Sequence, residues 1–312
     1  MNRVLAHTGA RYPIIQAPMG WIARAQLASA VSNAGGMGII ETSSGETENC
    51  KAEIEKMKGL TEAPFGINLA ALFLKDPAMV DYVCRSGVKF VITSAGSPAK
   101  FIKPLKEAGI FVYHAVPTVA AALKCVDAGV DGLIAEGAEG GGFKNPEEVS
   151  TLVLVQAIRA KVDIPIVAAG GICDGRGMAA AFAAGAEGVQ MGTRFVSSAE
   201  SPVHANYKNA ILNAEETGTW VLNKKASPCI RALKTNRTRE IFEAGVMPPT
   251  TFMNILDLYF GGDMEAAVGL AGQTAGLIDE VKPVKEILDG MVAEFFAISE
   301  RMSAMATAKN FG

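Results

Sequence analysis

Along the first two-thirds of the chain, short apolar runs rich in β-branched residues alternate with longer, Ala-rich amphipathic stretches. Runs of this length read as buried strands and the stretches between them carry helical spacing. Eight runs occur, beginning near Pro13 (PIIQAP), Met37 (MGIIE), Pro64 (PFGINL), Lys89 (KFVITS), Ile110 (IFVYHAV), Asp131 (DGLIAE), Ile164 (IPIVAAG) and Ala186 (AEGVQMG). Their separations suit a strand, a helix and two loops per unit, which predicts an α/β chain folded as a (β/α)8 TIM barrel. Glycines at Gly35-Gly36, Gly109, Gly129 and Gly185 fall where helices end, the place for a left-handed closing residue, and so speak of architecture alone.

After Phe195 the rhythm stops. Residues 201–214, 236–244, 264–277 and 284–305 are predicted helical, with 220–231 irregular or extended. The expected division is a barrel core over 1–200 and a helical extension over 201–312 packed on it, its first part a lid over the strand C-termini.

A length of 312 residues accommodates a single barrel of about 250 residues and such an extension. With 29 Lys+Arg against 32 Asp+Glu, a net charge of −3 and no basic block, no electrostatic drive toward nucleic acid or an anionic membrane exists. The N-terminus lacks an apolar leader and no run of 18 apolar residues occurs, so no membrane segment is expected. Cys50, Cys84, Cys125, Cys173 and Cys229 are scattered and odd in number, which fits reduced thiols in a cytoplasmic protein and neither a disulfide framework nor a metal site. A small-molecule substrate is expected, and the apolar C-terminal helices are compatible with a homodimer.

In such barrels the chemistry sits just past the strands, at the start of the βα loops. That selects Gln16-Ala17-Pro18-Met19-Gly20, Asn68, His114, the segment Glu136 to Phe143 with Gly141 in it, Gly170-Gly171, and Gln190-Met191-Gly192-Thr193. The glycines after the seventh and eighth runs suit a phosphate, because they let backbone N–H groups approach an anion and Thr193 adds a hydroxyl. Asp174 reads as the cap of the next helix. The apolar edge Ala17-Pro18-Met19 and the amides of Asn68 and Gln190 offer a floor and polar partners to an isoalloxazine ring, so flavin mononucleotide (FMN) fits better than a bare sugar phosphate. No Gly-x-Gly-x-x-Gly follows a strand, which disfavours a Rossmann dinucleotide domain.

The segments IIQAPMG, PFGINL, AEGAEGGG, IPIVAAGGICDGRG and VQMGTRF resemble the nitronate monooxygenase (2-nitropropane dioxygenase) family, which includes the FMN-dependent enoyl-ACP reductase of the second type. The similarity spans nearly the whole chain, and SPVHANYKNAI and GLAGQTAGLIDEVKPVKEIL resemble the enoyl-reductase branch. The resemblance implies a barrel holding FMN, with Met19, Asn68, Glu136, Gly141, Gly171 and the run Gln190 to Thr193 at the flavin. Two positions depart from the family pattern: Glu136 stands where Gln is usual, and Phe143 replaces the histidine expected as acid/base. A phenyl ring carries no proton. His114 is the candidate substitute, with a hydrogen-bonded histidine of the barrel wall as the equal alternative. His7 and His204 lie away from the strand ends, and Lys144 and Glu139 read as solvated loop charges.

The missing carrier ranks the chemistries. Enoyl reduction needs hydride delivery and a proton, whereas a nitronate arrives already ionised, and turnover of NAD(P)H as co-substrate with a quinone leans on the flavin. The leading expectation is oxidation of a nitronate with O2. The alternatives are an NAD(P)H-dependent enoyl-ACP or quinone reductase and a catalytically impaired flavin-binding protein.

Overall fold

The computed structural model describes residues 2–74 and 76–308. Eight strands are parallel: β1 (Ile14–Gln16), β2 (Gly38–Ile40), β3 (Phe65–Ala70), β4 (Phe90–Ser94), β5 (Phe111–Val116), β6 (Gly132–Glu136), β8 (Ile166–Ala169) and β9 (Gly188–Met191). Their order runs β1-β9-β8-β6-β5-β4-β3-β2, and an Ile15–Met37 bridge joins β1 to the start of β2 and closes the ring. The fold is the expected (β/α)8 barrel. Helices follow the strands: α2 (Ala25–Asn33), α3 (Thr47–Leu60), α4 (Ala78–Arg85), α5 (Ala99–Glu107), α6 (Val119–Ala128), α7 (Thr151–Arg159), α8 (Gly175–Ala183) and the short α9 (Thr193–Val196), while α1 (Arg3–Thr8) precedes them. Asp174 caps α8 by accepting from the N–H of Gly177, and Gly129 ends α6 in the left-handed region.

Successive residues of a strand point to opposite faces, and parallel strands covered by helices are apolar on both. Ile15, Ile39, Phe90, Ile92, Tyr113, Ile134 and Val167 fill the barrel interior, joined by Val4 of α1, which plugs the N-terminal end. Their neighbours Ile14, Ile40, Val91, Val112, Leu133 and Ile166 pack under the helices. His7 belongs to the plug: its ring stacks on Phe111 with centroids 4.1 Å apart, and its Nδ1 lies 3.0 Å from the Tyr113 hydroxyl.

The extension differs from the sequence expectation in two places. Residues 220–231 were expected irregular or extended, with no strand rhythm beyond Phe195. They fold into β10 (Thr219–Leu222) and β11 (Cys229–Leu233), and β11 pairs in turn with β7 (Gly142–Lys144), a strand inside the loop after β6. The pairing Ile230–Phe143 spans a long sequence separation, which no local pattern announces. Residues 264–277, expected helical, carry only a 3-10 turn over Gln273–Leu277. The reason is close approach: a Cβ at Gly272 would stand 2.6 Å from the Glu139 carbonyl oxygen, so this stretch is pressed as loop against the β6 loop.

The remaining helices fall where expected, as α10 (Ala205–Leu212), α11 (Asn236–Ala244) and α12 (Val284–Ala308), with a π-helical turn over Asp257–Gly261. His204 caps α10 by accepting from the Asn206 N–H, and α12 packs on α8 and α2.

Candidate active site

A cavity of about 740 Å³ opens at the C-terminal ends of the strands, a size that suits a small-molecule or cofactor site. Ala17, Met19, Asn68, Glu136, Gly141, Gly170, Gly171, Gln190, Gly192 and Thr193 line it, with His114 and Phe143. Met191 does not. It sits on the helix-facing side of β9 in the outer core, and only its neighbours Gln190 and Gly192 reach the cavity.

The strand pleat separates the candidates. Asn68, Glu136 and Gln190 share parity with the inward residues of β3, β6 and β9. Asn68 donates from Nδ2 to the Ile92 carbonyl (3.0 Å) and to the Ser94 hydroxyl (3.0 Å), which fixes the amide in the cavity wall. Asn68 Oδ1 and Gln190 Oε1 are both buried without a hydrogen-bond partner among the described residues. Buried polar atoms are nearly always paired, so two orphan acceptors in one cavity mark the place of a ligand with donors.

Gly170 and Gly171 have φ of +91° and +74°, a backbone available to glycine at little strain. The N–H groups of Gly171 and Gly192 donate to no other group among the described residues. A Cβ at Gly192 would meet only Ala17 Cβ at 3.6 Å and Met19 Sδ at 3.7 Å. The Thr193 hydroxyl accepts from the Gly272 N–H (2.9 Å), tying the β9 loop to the extension.

His114 has the opposite parity. It lies with Val112 and Val116 on the outer side of β5, borders the cavity, and its Nδ1 sits 2.7 Å from Thr93 Oγ1. Burial pushes its imidazole down to about 4, so it is neutral near pH 7. The geometry is that of a barrel-wall histidine with one edge at the cavity.

Lys144 and Glu139, read from sequence as solvated, are not. The Lys144 side chain is 3% exposed and its ammonium pairs with Glu136. Glu139 accepts from the Thr151 N–H (2.9 Å) and hydroxyl (3.0 Å) at the start of α7. Phe143 is instead turned to the rim, where its ring centroid lies 5.8 Å from Phe73 and 6.5 Å from Phe252. Glu41 escaped the sequence reading altogether, since nothing local marks it. Fully buried, it accepts from Trp21 N–H (3.1 Å), Arg24 Nε (2.8 Å) and Ser44 N–H (2.8 Å), and so holds the loop carrying Met19. Tyr259, Leu270, Gly272 and Thr274 of the extension complete the wall.

A parallel barrel with an apolar edge, orphan amide oxygens and glycines at its C-terminal mouth has the build of a barrel enzyme with a cofactor-sized cavity. The family model for nitronate monooxygenase matches residues 2–82 and 71–294. The chain belongs to the nitronate monooxygenase family and is an FMN-dependent oxidoreductase. A solved structure of FabK from Thermotoga maritima is 40% identical with a TM-score of 0.90, covering 97% of this chain and 99% of that one. Among curated relatives, an octahydroindene-carboxyl-CoA dehydrogenase of Rhodococcus jostii (strain RHA1) is 30% identical over 95% of this chain and 96% of its own. The nitronate monooxygenase of Pseudomonas aeruginosa (strain PAO1) is 31% identical over 92% and 97% respectively.

Proposed function

We propose that the cavity holds FMN and that the enzyme oxidises a preformed nitronate. The orphan acceptors of Asn68 and Gln190 fit the donor-bearing edge of the ring, the Ala17–Met19 edge fits its apolar face, and the amides of Gly171 and Gly192 fit the phosphate. Bound FMN supplies the redox chemistry, taking electrons from the substrate and passing them to dioxygen. The chain binds and orients the reactants, and its walls exclude water.

The observation that carries the choice of substrate is the disposition of proton carriers. Phe143 occupies the rim, where the resemblance implies a histidine, and His114 is neutral, bonded to Thr93 and turned to the wall. A substrate that arrives as an anion needs no carbon-bound proton removed, whereas a neutral nitroalkane does. The five cysteines are all free and four are buried, which supports a reducing, cytoplasmic setting.

The 40% identity to FabK, an enoyl-ACP reductase of the second type, supports a second reading as an NAD(P)H-dependent enoyl reductase. Anaerobic mixing of the purified flavoprotein with each reductant separates the two. Nitronate is expected to bleach the flavin absorbance quickly and neutral nitroalkane about 10²- to 10⁴-fold more slowly, the usual contribution of an acid/base group. Bleaching by NAD(P)H alone, reversed by an enoyl thioester, would replace the first reading by the second.

A further inference from the structure

Two charged residues from successive strands, Glu136 and Lys144, meet in space. Glu136 closes β6, Lys144 ends β7, and the side chains form an ion pair inside the cavity. The alternation of a strand explains the geometry: with Phe143 turned to the rim, the next residue turns inward. Lys144 is the only lysine or arginine bordering the cavity among the described residues.

The pair is more than a neutral plug. An ammonium has three N–H donors, and among the described residues Glu136 Oε1 is the sole acceptor found for Lys144. The other carboxylates of the wall are held by other groups. Glu148 pairs with Arg231 (3.3 Å) and Lys224, and Glu139 takes the Thr151 N–H and hydroxyl. Glu148 has cations of its own and Glu139 is held by neutral donors, which leaves at Lys144 an ammonium with unused donors on a side chain 3% exposed. A charge-assisted hydrogen bond is strongest where water is excluded.

We propose that Lys144, oriented by Glu136, binds the anionic oxygens of the substrate, so that this enzyme recognises a small planar oxyanion at the loop after β6. The inference rests on the nitronate reading. Lys144 would select the charged form of the substrate, and Glu136 would act as a positioning residue that also moderates the affinity by repulsion.

Nitrate, a planar oxyanion that cannot react, is the probe. Its affinity for the FMN-loaded protein is read from the perturbation of the flavin spectrum, with flavin content and thermal unfolding as controls. Lys144→Met is expected to weaken nitrate binding roughly 10- to 100-fold, the scale of a hydrogen bond to a charged group, and to raise KM for nitronate with little change in kcat. Lys144→Arg should retain binding. Glu136→Gln should tighten it, a change of sign that a structural role for the pair does not produce.

Since Lys144→Met strands a carboxylate, the double variant Glu136→Gln/Lys144→Met serves where the single one loses flavin, and it too should bind nitrate weakly. Equal nitrate affinity in the parent and either lysine-free variant would overturn the proposal, as would a parent that binds no nitrate. Nitronate turnover with Lys144-independent nitrate binding would sink this inference and leave the nitronate reading standing. Lys144-dependent nitrate binding without nitronate turnover would keep the anion site and remove that reading.

Discussion

Asn68 and Gln190 carry the sharpest statement at the scale of single residues, because each presents a buried oxygen without a donor among the described residues. Asn68→Ala should weaken flavin binding by about 1 to 3 kcal/mol, the usual consequence of leaving a buried polar group unpaired. A flavin dissociation constant equal to the parent's, measured by fluorescence titration, would remove Asn68 from the site. His114 gives a pH-dependent expectation. Burial holds its folded-state value near 4, below the unfolded value of about 6.5. The neutral ring is therefore favoured in the folded state, so its share of stability is complete above pH 6.5 and is lost as pH falls toward 4. The amount is of order 3 kcal/mol. Urea unfolding at pH 7 and pH 4.5 should show a smaller loss for His114→Asn than for the parent.

These candidates were legible because strand ends face the active side of a barrel, and the period of two was legible as well. Applied to β5 and β9, it places His114 and Met191 on the outer face, where the structure has them. The inward turn of Lys144 was not legible, since nothing local marks Gly142–Lys144 as a strand until its partner in the extension is known.

Among elements, the three-stranded sheet of β10, β11 and β7 decides the shape of the mouth. It converts a glycine-rich loop, which by sequence reads as flexible, into a strand paired over Gly142 to Lys144. Arg231 of β11 is its anchor: Nε donates to the Ala138 carbonyl (2.7 Å), and Nη1 to Thr219 Oγ1 (3.0 Å). The guanidinium also pairs with Glu148 (3.3 Å). Arg231→Met leaves that partly buried carboxylate short of one of its two cations and the Ala138 carbonyl without its donor. A loss of roughly 3 to 5 kcal/mol is expected, as for a broken buried pair, with a raised KM as the loop loosens. Chemical denaturation beside steady-state kinetics would check it, and unchanged values of both would refute the anchoring role. β10 and β11 escaped the periodicity analysis because both are short, and because β11 carries Arg231 in its middle and pairs with a partner more than eighty residues away in sequence.

For the molecule as a whole, the barrel was written plainly in the alternation of apolar runs, while the way the last third wraps onto it was not. α12 contributes to the outer core through Val284, Ile287, Leu288 and Met291, all buried, and none of its described residues borders the cavity. Leu288→Ala should therefore destabilise the fold by about 2 to 5 kcal/mol while the flavin affinity of the folded enzyme stays that of the parent. A matching fall in affinity under native conditions would show that the two regions are coupled.

Closure of the ring has a further consequence for how the protein comes into being. Ile14 pairs with Val189, and the mouth is completed only when Gly272 reaches Thr193. A chain emerging from the ribosome holds its first strand unpartnered on one side until the ninth is made, and has no finished pocket until Thr274 has been synthesised. Filling of the pocket thus waits for the extension, and nascent chains stalled before that point offer exposed strand edges to chaperones and proteases.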